Sequence, residues 1–133
     1  MPGQHRKCRR IEDVQRQPHR RAEAELARLE RALEAAAVER RDIFAVMNNE
    51  TFAPVVVAAA ARRLRVIDEA MARLRREADA QRARTLEAAM RLKHAERLTE
   101  SADRQARAQS ERSALDEALE AAIARGCASF PPA

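Results

Sequence analysis

Between His19 and Arg125 the chain contains no glycine and a single proline, Pro54; both glycines and the other four prolines lie outside that stretch. Glycine and proline are the residues a helix interior tolerates least, so their absence predicts continuous helix and Pro54 marks where it breaks. The expectation is all-α: two long helices joined near residues 48–54, a hairpin with a longer second helix.

The material for a core is sparse. Three phenylalanines and ten leucines are spread over 133 residues, and alanine, which buries little area, supplies most of the apolar count. A compact globule of this length needs more bulk, so an antiparallel two-helix coiled coil fits better. The spacing agrees. Leu26, Leu29, Leu33 and Ala36 follow 3, 4, 3 steps, and after Arg40 the seam resumes with Ile43 and Met47. Val57, Ala60, Leu64, Ile67, Met71, Leu74 and Ala78 repeat the alternation in the second helix. An average of 3.5 residues is the signature of a coiled-coil seam. Beyond Ala78 the bulky residues Leu86, Met90, Leu92 and Leu98 keep no single frame, and the pattern returns with Leu115, Leu119 and Ile123.

These signals set the expected boundaries. Residues 1–17 read as a basic, partly disordered arm, although Ile11 and Val14 allow a helical extension from residue 11, kinked at Pro18. The hairpin then covers 18–125, with helices at about 18–48 and 54–125 and a turn over 48–54. Asn48 and Asn49 suit a left-handed helix end, and Thr51 suits a cap ahead of Pro54. Gly126 closes the second helix, and 126–133 form a disordered tail ending in Phe130-Pro131-Pro132. Glu69–Arg73, Glu87–Arg91, Glu100–Arg104 and Asp103–Arg107 place an acid four residues before a base, each supporting helix by a few tenths of a kcal/mol.

Charge excludes some functions. The net charge is +5, but 21 acidic residues are interspersed with 26 basic ones. Local excess is confined to residues 5–21, where seven basic residues meet Glu12 and Asp13. Nucleic-acid binding is therefore disfavoured, since no aromatic platform accompanies this short basic arm. Cys8 and Cys127 lack the neighbours of a zinc site or disulfide framework, and two free thiols suggest a reducing compartment. The longest apolar run, 53–61, is too short to span a membrane. The reading is a cytoplasmic protein.

Nothing in the sequence supplies catalytic machinery. His5, His19 and His94 stand apart from any metal-like cluster, no glycine-rich phosphate loop exists, and a two-helix rod offers no enclosed pocket for acid–base work. The expectation is no enzyme, no cofactor, no metal and no small-molecule substrate. Two apolar surfaces remain as candidate partner sites. One is the hairpin tip, with Ile43, Phe44, Met47, Phe52 and Val56; its bland reading is a plug for the end of the seam. The other is the C-terminal stripe of Leu115, Leu119 and Ile123, whose bland reading is pairing with residues 4–17 or with another copy.

Three segments of the second helix carry a family resemblance. They are Arg91-Leu92-Lys93-His94-Ala95-Glu96-Arg97-Leu98, Arg104-Gln105-Ala106-Arg107 and Glu111-Arg112-Ser113-Ala114-Leu115-Asp116-Glu117. Together with the basic start and mid-chain break, they make the chain resemble FliJ-type proteins, coiled-coil components of the flagellar export apparatus related to type III secretion stalks. The resemblance implies a non-catalytic stalk that inserts into a hexameric export ATPase, contacts the export gate protein and handles export chaperones. It also implies a place at the inner face of the cell membrane, held there through partners. The alternatives are a generic coiled-coil scaffold or homodimer and, less favoured, a basic nucleic-acid-associated helical protein.

Overall fold

Long runs of Ala, Leu, Arg and Glu lose little side-chain freedom in a helix, and they form helix here throughout. The computed structural model describes residues 2–129, in two helices: α1 (Pro2–Asn49) and α2 (Pro54–Ser129). Residues 50–53 link them, and there is no strand among the described residues. The chain divides into two units, residues 16–91 and residues 1–15 with 92–133.

Residues 16–91 form a helical hairpin. Its α1 part turns Ala22, Leu26, Leu29, Leu33, Ala36, Ile43 and Met47 inward to full or partial burial. From α2 come Ala60, Leu64, Ile67, Met71, Leu74, Ala78, Gln81, Thr85 and Ala88. Leu29, Ile67 and Met71 are its bulky buried side chains. Polar contacts cross between the helices in a consistent order. Arg63 Nε donates to Glu39 at 2.7 Å, Arg40 Nε to Asp68 at 2.8 Å, and Arg82 Nη2 lies 3.6 Å from Glu30. Gln81 Nε2 donates to the Ala22 carbonyl at 3.1 Å. All three ion pairs are exposed and contribute little each. On the surface of α1, two guanidinium hydrogen bonds from Arg28 hold the Glu25 carboxyl below its ordinary range.

The inward set of α2 does not stop at Ala78, as the bulky residues suggested. It continues at the same spacing through Gln81, Thr85 and Ala88, because a seam position can be filled by a small or hydrogen-bonded side chain as well as by leucine. The Thr85 hydroxyl donates to the Gln81 carbonyl at 2.8 Å and lies 3.3 Å from that of Ala22. A polar residue at one seam position holds register while lowering stability. Gln81→Leu, which fills a similar volume, is therefore expected to raise stability by about 1–2 kcal/mol while allowing extra oligomers. Thermal unfolding and sedimentation velocity measure both; a lower midpoint would show that the hydrogen bond outweighs the apolar replacement.

In the other unit, His5, Cys8, Glu12 and Gln15 are partly buried on α1, and Leu92, Ala95, Thr99, Ala102 and Ala106 are buried or partly buried on α2. His5 Nδ1 meets the Asp103 carboxylate. The Thr99 hydroxyl donates to the Ala95 carbonyl at 3.1 Å. From Arg107 to Arg125 every residue is exposed.

Four boundaries differ from expectation. Residues 2–17 are helix, so the extension allowed from residue 11 is present and 2–10 are helix as well, and Pro18 lies inside α1. Proline removes one backbone hydrogen bond, to the Val14 carbonyl; His5 and Cys8, at seam spacing, give the segment before it something to pack on. Asn48 and Asn49 belong to α1 in right-handed conformation, with no positive φ at a non-glycine residue among the described residues. The Ala53 carbonyl, not Thr51, sits at the start of α2, accepting from the Val56 and Val57 amides at 3.0 and 3.1 Å, with Pro54 as the first helical residue. Helix α2 runs through Gly126 to Ser129, since Gly126 does not take the left-handed conformation a terminating glycine needs. The rest of the expected tail, 130–133, lies outside the described residues. Among the expected i, i+4 pairs, Glu87–Arg91 closes at 3.8 Å, whereas Asp103 turns to His5.

Candidate functional site: an apolar groove beside the helix link

Close to the end of α1, one side of the helix is apolar beyond what the seam requires. Ala35, Val38, Asp42 and Val46 follow 3, 4, 4 steps, next to the seam residues Ile43 and Met47. With Glu39 and, from α2, Ala60, they line an open groove of about 490 Å³. Val38 and Val46 are exposed, and Ile43 and Met47 are partly buried. The lining is mainly apolar, with Glu39 and Asp42 as its charged members. Glu39 is held by Arg63, with Nη2 at 2.6 Å. Asp42 has no ion pair among the described residues. An open groove of this kind suits the side of another helix better than a small molecule, which needs enclosure.

The structure brings together some of the tip residues singled out from sequence and separates others. Ile43 and Met47 line the groove. Phe44 does not; its ring lies under the Arg40 guanidinium, 4.9 Å from the ring centroid. Phe52 is partly buried in the link, and Val56 is exposed in the first turn of α2 without lining the groove. Ala35, Val38 and Val46 were not expected, and Ala60 was expected only as a seam residue of the second helix. Their signal was a second apolar row on α1, obscured because Glu39 and Asp42 interrupt it in sequence.

Leu115, Leu119 and Ile123 lie at 60%, 52% and 65% exposure on one side of α2. They form an exposed stripe that no described residue covers. No cluster of three or more His, Cys, Asp and Glu side chains is placed to hold a metal among the described residues. His94 is exposed, and His19 Nε2 lies 3.2 Å from Glu23 on the same helix. No helix among the described residues is long and apolar enough to cross a membrane.

No family model matches the chain, and neither a curated protein nor a solved structure matches it.

Proposed function

We propose that this chain is a non-catalytic stalk: an antiparallel two-helix coiled coil that works by binding other proteins along its helices. The groove beside the link carries the reading. It is mainly apolar and open, and its lining includes the carboxylate of Asp42, so it suits an amphipathic helix that carries a basic residue beside its apolar face. The ordered polar contacts between helices in residues 16–91 support an antiparallel arrangement. The resemblance of residues 91–117 to FliJ-type proteins supplies the specific role. In that role the chain links a hexameric export ATPase, the export gate protein and export chaperones of a flagellar or related type III system. It works in the cytoplasm at the inner face of the membrane, where its partners hold it.

Co-purification of the tagged protein from its own cells, with mass spectrometry of what is retained, tests this role. Recovery of an export ATPase and a gate component is the expected result. Val38→Glu with Val46→Glu changes two exposed groove residues, so helicity should be unchanged while recovery of the groove's partner falls at least tenfold. Undiminished recovery would remove the groove from the binding surface. Recovery of no export component from wild type would remove the stalk role itself.

A further inference from the structure

The unit made of residues 1–15 and 92–133 carries two exposed surfaces of opposite character. On α2, residues 111–123 contain four acidic side chains and one basic. Glu111 lies one turn before Leu115, while Asp116 and Glu120 lie one turn before Leu119 and Ile123 respectively, so carboxylates flank the apolar stripe. On α1, residues 6–14 carry Arg6, Lys7, Arg9 and Arg10, all exposed, against the half-buried Glu12 and the exposed Asp13, so the segment keeps a basic excess of two. Lys7 and Arg10 stand one turn before Ile11 and Val14, which are themselves exposed, Val14 at 64%. One surface is an apolar stripe edged with acid, the other an apolar pair edged with base.

The two surfaces cannot meet within one chain. His5 is already set against Asp103, and α2 continues as helix through residues 107–125, with every residue there exposed. Folding 111–123 back onto 6–14 would require breaking α2, and the stretch contains no proline or glycine that would favour it. A second copy can supply the missing partner without strain.

We infer that the protein forms a reciprocal dimer in which residues 111–123 of each copy dock on residues 6–14 of the other. With the two segments parallel, Leu115 and Leu119 pack against Ile11 and Val14, Glu111 faces Lys7 and Asp116 faces Arg10. Each copy offers both surfaces, so the exchange closes on itself around a two-fold axis, with no free end to propagate a filament. Exposed charge pairs set the orientation, and the buried apolar side chains supply most of the affinity. The inference uses only these two segments and stands independently of the stalk role.

Sedimentation equilibrium at low micromolar concentration tests it through a charge exchange. The wild type should sediment at twice its 15.0 kDa chain mass. Lys7→Glu with Arg10→Glu, and separately Glu111→Arg with Asp116→Arg, should each weaken association at least tenfold. An equimolar mixture of the two variants should restore a dimer, because both contacts then join opposite charges. Circular dichroism confirms that each variant keeps its helix. A monomeric wild type would overturn the inference and leave the stripe to a foreign partner. A dimer untouched by either variant, or a mixture that stays monomeric, would overturn it as well.

Discussion

Ile67→Ala is expected to lower the stability of the hairpin by about 2–4 kcal/mol, while Val66→Ala, one residue away, changes it by less than about 0.5 kcal/mol. The contrast follows from position alone. Ile67 is 3% exposed and Val66 is 53% exposed, so truncating one leaves a void in the seam and truncating the other removes methyl groups already in water. The cost is large relative to the whole because little else is buried. Leu29, Ile67 and Met71 are the bulky buried side chains among the described residues; the other buried apolar positions are alanines. Domains of ordinary size are held by only about 5–15 kcal/mol. Urea unfolding followed by circular dichroism measures both substitutions. Equal losses at the two positions would mean that the seam does not run where the burial places it.

Pro18→Ala is expected to act in the opposite direction, stabilising α1 by about 2–3 kcal/mol. Pro18 is exposed within a helix that continues on both sides of it. Alanine restores the amide that donates to the Val14 carbonyl and removes the clash of the ring with that carbonyl. The midpoint of guanidinium unfolding should rise. An unchanged midpoint would mean that the segment before residue 18 is already frayed in solution and gains nothing from the restored bond.

The inward rows of residues 26–47 and 60–78 were legible because leucine, isoleucine and methionine stand out against a polar background at alternating steps of three and four, but Val57, expected to begin the second row, is exposed. Pro54 located the start of α2 because its fixed backbone angle suits a first helical residue. The continuation through Gln81, Thr85, Ala88, Leu92, Ala95 and Thr99 was not legible. The spacing is unbroken, but alanine is so common in this chain that its presence at a seam position carries little signal, and glutamine and threonine read as surface residues until their carbonyl partners are known. The helix before residue 11 was missed for a related reason, whereas Ile11 and Val14 had allowed it from there on. Its inward positions are His5 and Cys8, so periodicity of bulky apolar residues could not reveal them. His5 also depends on Asp103, nearly a hundred residues away in sequence. In the candidate groove, sequence supplied Ile43 and Met47 because they belong to the seam. It did not supply Val38 and Val46, whose role depends on which side of α1 is left uncovered.

The bare end of α2 gives the molecule a place where it can be worn away without being unfolded. Residues 107–125 have every side chain in water, so that stretch keeps its helix through local preference and through growth from an already formed turn, which spares it the unfavourable nucleation step. Helix of that kind opens from its free end with little cost. In the uncomplexed chain, backbone amides there should exchange with solvent orders of magnitude faster than those near Ile67, and trypsin should reach Arg107, Arg112 and Arg125 while the hairpin is still intact. Slow exchange and resistance to trypsin at these arginines would therefore report directly that a partner has covered the end of the helix.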